Sequence, residues 1–290
     1  MNSNIARAAM KKGKSAACAC VVGALLATAP IASYAHDTTA AGKLETLLDE
    51  GQRLFFSARY DAAAELMSAP CEQGLAAACE VRASALLFRM RRELGEAAGK
   101  KKAFEACAPC GGLLTAFQRT TTHGRRLVKT ELAARPEEEE VLFLVSKLAL
   151  NHVWLELGVL GNKTGWSEYW EARKTLDRLL RKNPGHVRGR VARAWIDYIV
   201  DTKMPRGTRW VLGGGSKKRG LAAVREAAAT EAPFFARTEA RFALWDMLVR
   251  ERRIDEAVVT ARELARDFPD NPELQRFLSA YSDAPAAAAR

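Results

Sequence analysis

The most constraining stretch of the chain is residues 240–272, where two apolar periodicities of helical spacing are joined by a charged turn and closed by prolines. Leu244, Trp245 and Leu248 mark the inward stripe of a first helix, and Ile254, Ala257, Val258, Ala261 and Leu264 mark a second at i, i+3, i+4, i+7. Arg250-Glu251-Arg252-Arg253 carries the chain between them. Phe268-Pro269-Asp270-Asn271-Pro272 ends the second helix, because a residue that precedes proline avoids the α region. Such a chain makes helical hairpins, and a single hairpin cannot bury both its faces, so it must stack on others.

The pattern recurs. Residues 43–55 carry Leu44, Leu47, Leu48, Gly51, Leu54 and Phe55 on one stripe, then Arg59-Tyr60-Asp61 turns into a second helix over 62–67, with Pro70 after it. Helices follow over 75–92, from Leu113 and over 125–134, while 94–102, with two glycines and three lysines, reads as a loop. Pro136 starts another helix whose first turn holds Glu137 to Glu140; four carboxylates there complement the helix dipole and need no metal. Residues 141–160 predict one long apolar helix with a central position. Tyr169, Ala172, Leu176 and Leu179 lead to Pro184 with the spacing of 254–269. A third unit begins at Val187, breaks at Met204-Pro205 and resumes at Ser216 with a helix over 217–229, leaving an insert over 201–215; 273–281 predicts a capping helix.

These hairpins resemble tetratricopeptide (TPR) repeats. Gly51 stands at the small position of the first helix, Tyr60 and Ala63 at the aromatic and small positions opening the second, and Pro70, Pro184 and Pro269 beyond it, although Glu50 occupies a normally apolar position. From residue 141 onward the chain is also similar to exported bacterial TPR-repeat proteins, through residues 150–154, 165–173 and 192–200. The resemblance covers roughly residues 43–277. It implies an all-α, TPR-like helical-hairpin solenoid with irregular inserts, and a role in protein interaction.

Arg7, Lys11, Lys12 and Lys14 precede an apolar run over 16–31, and Ser33-Tyr34-Ala35 offers a small-x-small cleavage site, the layout of a secretory signal peptide. The run is too short for a retained membrane anchor. Its removal leaves 41 basic against 34 acidic side chains, a net +7, suited to an acidic protein or another anionic surface of the cell envelope. Nucleic acid is excluded by the compartment. The division expected is 1–35 signal peptide, 36–135 an N-terminal helical region with one hairpin and four cysteines, 136–281 the repeats, and 282–290 a flexible tail.

Cys71, Cys79, Cys107 and Cys110 remain after cleavage, an even number in an oxidising compartment, and disulfides are the default. Four cysteines allow three pairings; cysteines like Cys71 and Cys79 across a hairpin turn resemble those of a secreted branch of the TPR family. Cys107-Ala108-Pro109-Cys110 lacks the βαβ setting of a redox site, C-x₇-C is too wide for a zinc site, and Gly111 stands where haem attachment needs histidine. No cofactor, metal or catalytic constellation is expected.

Gly213-Gly214-Gly215-Ser216-Lys217-Lys218-Arg219 fails the phosphate-loop pattern, as no glycine stands directly before the lysine and no Ser or Thr follows it. Three cations on a first helical turn nonetheless oppose the dipole unless an anion is near, which leaves a protein carboxylate, a bound anion or a solvated loop. Most tryptophans fall within 154–195. The binding surface expected for a partner or an anion therefore combines Trp166, Tyr169, Trp170, Arg173, Trp195 and Tyr198 with the basic insert residues Arg206, Arg209, Lys217, Lys218 and Arg219. The same aromatics at helical spacing also suit inter-helix packing. The function expected is that of a periplasmic, non-catalytic scaffold or adaptor for another envelope protein; the alternative is a small-ligand-binding subunit of a periplasmic transport system.

Overall fold

The structure is a computed structural model that describes residues 35–95, 100–162 and 164–281. The expected signal peptide, apart from Ala35, and the expected tail lie outside the described residues. The chain divides into two compact units, residues 1–41 and 42–290, and the second holds the hairpins. Among the described residues every regular element is helical, the class expected from the sequence.

The order is α1 (Ala35–Phe56), α2 (Tyr60–Leu66), α3 (Ser68–Glu72), α4 (Ala76–Leu94), α5 (Lys100–Ala106), α6 (Cys110–Ala134) and α7 (Glu139–Trp154), which runs into a π-helical turn at Leu155–Leu160. Then follow α8 (Trp166–Lys182), α9 (Val187–Lys203), the short α10 (Arg206–Arg209), α11 (Lys217–Ala229), α12 (Phe234–Arg250), α13 (Ile254–Asp267) and α14 (Pro272–Tyr281). The long helices pack in succession: α4 on α6, α6 on α7, then α8, α9, α11, α12, α13 and α14 in turn. This is the stacked-hairpin arrangement that the short turns and paired periodicities predict.

The segment Glu139–Leu160 is long and apolar enough to cross a bilayer, yet 67% of its most apolar window is buried inside the protein. Its apolarity has a simpler cause, since α7 is packed by α4, α6, α8 and α9 together. Leu142, Phe143 and Leu148 are wholly enclosed. The last turn departs from the single α-helix expected over 141–160: it widens to π geometry, which brings both Leu155 and Val159 inside. Lys100 on α5 donates to the carbonyls of Leu157 (3.2 Å) and Gly158 (2.5 Å) at that turn, and partial burial lowers its pKa.

Four local expectations are corrected. Residues 110–134 form one helix of 25 residues and not two, because Gly124 does not interrupt it. A Cβ at Gly124 would lie 2.9 Å from Cβ of Cys79 and 3.2 Å from Leu148, so this glycine permits the close approach of α4, α6 and α7. Lys100 to Lys102, read as loop, begin α5. Pro70 does not stop α2; it sits in the first turn of α3, where its missing N–H costs nothing. On α12 the buried residues are Thr238, Ala240, Ala243, Met247 and Leu248, while Leu244 and Trp245 are half-buried. That helix is packed on two sides, by α9 and α11 and by α13, so no single stripe describes it.

Within this unit the last hairpin returns to the first. Phe56 is enclosed by Phe235, Phe242 and Phe268, with ring centroids 5.3–6.2 Å apart. The Asn271 side-chain amide donates to the Phe56 carbonyl at 2.7 Å, and the Tyr60 hydroxyl donates to Glu273 at 3.0 Å. Ion pairs link α4, α7, α9 and α12: Glu239 accepts from Lys147 and from Arg188 (2.8 Å), and Arg188 also faces Glu80 at 3.6 Å and Glu140 at 3.9 Å. Ser84 donates to Glu80 at 2.8 Å and accepts from Asn151 at 3.0 Å, so these three buried polar side chains of α4 and α7 satisfy one another.

Candidate functional site

The insert between α9 and α11 departs most from a regular hairpin, and its conformation follows from its glycines. Gly213 and Gly214 adopt φ of 77° and 74°, open to glycine at little cost, and the Gly214 N–H closes back on the Arg209 carbonyl at 2.8 Å. A Cβ on Gly215 would meet the Asp197 carbonyl at 2.7 Å, so the third glycine lets the loop lie against α9. The three glycines build a turn, and no phosphate cradle is needed to explain them.

Arg173 on α8 fastens this turn, donating to the carbonyls of Leu212 and Gly213 at 2.9 Å each, while the Tyr169 hydroxyl donates to Leu212 at 2.7 Å. Burial raises the Tyr169 pKa, so the phenol remains a donor. At the start of α11, Ser216 caps the Arg219 N–H at 3.3 Å and Asp201 accepts from the Lys217 N–H at 2.8 Å. Asp201 also accepts from Arg209. The carboxylate that the cationic first turn demands is therefore supplied by the protein itself. Lys217 Nζ lies 2.7 Å from Glu251, which also accepts from Tyr198 at 2.8 Å. Burial, then this bond, raises the Tyr198 pKa; the same Lys217 bond holds Glu251 below the usual carboxylate range.

The predicted surface is thus split. Tyr169, Arg173, Tyr198 and Arg209 are committed inward, to the insert and to neighbouring turns, and Lys217, though exposed, is taken up by its ion pair with Glu251. Trp170 is half-buried against the main core, 5.3 Å from the Tyr169 ring, and Trp195 packs edge-on between Trp154 (5.8 Å) and Tyr198 (5.6 Å). Arg206 opens α10, its side chain outside the described residues. Trp166, Lys218 and Arg219 remain exposed, and neither cation forms an ion pair with a described residue. The residues that sequence reasoning passed over are Trp210, 77% exposed, and Val211, 53% exposed, both on the insert. Their signal was present as an aromatic and a valine in a polar loop with no helical stripe to join.

Behind the insert lies an apolar cavity of about 30 Å³, lined by Trp154, Trp166, Tyr169, Trp195, Met204, Leu212 and aliphatic neighbours. It has room for a single small group, far below the few hundred Å³ that a small-molecule site requires.

The cysteines pair as Cys71–Cys79, with Cα atoms 4.6 Å apart, and Cys107–Cys110, at 5.4 Å. Cys71, Cys79 and His123 bring three possible metal-ligand atoms within 4.8 Å of one another, but a disulfide sulfur is no thiolate, and the set fits a metal only after reduction. His123 has a different task. Arg126 can only donate, at 2.8 Å, so the His123 Nδ1 accepts and its Nε2–H donates to the Cys71 carbonyl at 3.0 Å.

No family model matches the sequence, and no curated protein matches it. Among solved structures the chain is similar to the crystal structure of TTC0263, a thermophilic TPR protein in Thermus thermophilus. The two share 19% identity at a TM-score of 0.45, over 81% of this chain and 97% of that one.

Proposed function

We propose that this chain is a non-catalytic adaptor that binds another protein of the cell envelope through the face formed by its insert. The observation that carries this reading is Trp210. A tryptophan 77% exposed to water, followed by a half-exposed valine, sits on a loop held by Arg173, Asp201 and the glycine turn. Interfaces are anchored by aromatic residues whose immobilisation has already been met by the fold, which is what a tryptophan on a fastened loop offers. Lys218 and Arg219, exposed on the first turn of α11 that follows the insert, suit a partner with an apolar pocket and an acidic rim. The two disulfides accord with a periplasmic location after cleavage of the leader.

The test places a photo-crosslinking amino acid at position 211 and captures partners from periplasm with the full chain and with the variant W210S/K218S/R219S. A defined protein joined at the insert, and lost from the variant while its circular dichroism is unchanged, supports the reading. Recovery of the same protein by both chains, or crosslinks only elsewhere, overturns it.

A further inference from the structure

A second concave surface lies on the other half of the unit, between α3, α4 and α6. It is a basin of about 480 Å³, large enough for a small organic ligand, and Arg82, Arg119, Thr120, Thr122, His123 and Arg126 line it together with Glu72. Three guanidiniums against one carboxylate give it a positive field, which the loose pairing of Glu72 with Arg82 at 3.9 Å offsets only in part. Arg119 and Arg126 are exposed, and neither forms an ion pair with a described residue. His123 orients Arg126 by accepting its hydrogen bond.

Two atoms of this wall lack partners among the described residues. Thr120 is 2% exposed, and its hydroxyl finds no hydrogen-bond partner, not even the carbonyl one turn back that Thr121 beside it uses. The Arg82 Nε–H is buried and equally unmet. Buried polar atoms are nearly always satisfied, and two orphaned donors in one basin match an acceptor-rich guest. The wall is also pre-set: the Cys71–Cys79 bond ties α3 to α4, and His123 of α6 holds the Cys71 carbonyl. The backbone of the wall is thereby held, and side-chain rotation of Thr120 and of the arginines is what brings their donors to a guest.

We infer that this basin binds a phosphorylated small molecule or headgroup, its phosphate oxygens taken by Arg82, Arg119, Arg126 and Thr120 and a hydroxyl of its body by Glu72. Arginine forks suit phosphate because two parallel N–H donors match two of its oxygens. The volume exceeds that of a bare phosphate, which leaves room for the polyol or sugar that Glu72 would meet.

The experiment is calorimetric titration of the full, oxidised chain with glycerol 3-phosphate, alongside sedimentation with vesicles containing phosphatidylglycerol, at low ionic strength. Binding is expected in at least one arm, and which arm responds distinguishes a soluble phosphomonoester from a lipid headgroup. R119S/R126S, whose side chains are exposed, is expected to weaken it by about 100-fold, and T120V, with unchanged melting temperature, by about fivefold. K218S/R219S, remote in sequence and equally basic, controls for charge alone and is expected to bind as the parent does. Absence of binding in both arms at about 1 mM ligand, where a millimolar site is half filled, overturns the inference. Equal loss in K218S/R219S overturns it as well. Because the insert is untouched in the basin variants, partner capture through Trp210 is expected to persist in them, so this site and the adaptor reading fail separately.

Discussion

Glu239 shows what a single residue contributes when charges meet away from water. Burial alone would raise its pKa, but Lys147 and Arg188 bring it down to about 2. A carboxylate depressed on folding lends stability that is fully present above its unfolded pKa of about 4.3 and is lost as pH falls toward 2. Replacing it as E239Q takes the carboxylate from Lys147 and leaves Arg188 with Glu80 and Glu140 alone, and we expect a loss of about 3 kcal/mol in urea unfolding at pH 7. The gap between parent and variant is expected to narrow steadily between pH 5 and pH 2; a gap independent of pH would assign the loss to packing. Little of this was legible beforehand. Glu139 and Glu140 do open a helix, but Pro136 and Glu137, expected on its first turn, lie in the turn before it and Glu138 is its N-cap, and the facing of Glu80, Arg188 and Glu239 across three helices leaves no trace in local spacing.

At the scale of elements, periodicity located most helices because each has one dominant buried stripe, as α13 does with Ala257, Ala261 and Leu264. It failed where an element is packed from several sides or bridged. α12 is apolar on two faces, so its apparent stripe misleads, and Gly124, which looks like a break in α6, serves a crossing and not a turn. The candidate site was legible as a region but not in its working parts: the aromatics were located, yet which of them turn inward depends on carbonyls such as that of Leu212. For the insert we expect G213A to cost about 1–3 kcal/mol, since alanine would hold φ of 77° against its preference and press on the Arg173 guanidinium at 2.6 Å. Limited proteolysis at Arg209 should then accelerate while the helices elsewhere stay protected. An unchanged cleavage rate would mean the turn is not what holds the insert.

For the molecule as a whole, the joint between first and last hairpins matters most. Asn271 binds the Phe56 carbonyl with its amide and caps α14 with its oxygen, which accepts from the Glu273 and Leu274 N–H groups at 2.8 and 3.1 Å. We expect N271A to cost about 2 kcal/mol and F56A about 3–5 kcal/mol. Their double variant should lose less than the sum, because both act on one contact. Strict additivity in chemical denaturation would show two independent sites. By itself the sequence determined the helical class, the hairpins and the turns, because 3.6-residue periodicity, prolines and capping residues act within a few positions of themselves. Only the tertiary structure decided that Phe56 meets Phe268, that Asp201 answers the cations of α11, that Trp210 stands out in water and that Arg82 and Thr120 share a basin. Those outcomes depend on how helices far apart in the chain come to lie together, which is set by the summed packing of the whole core.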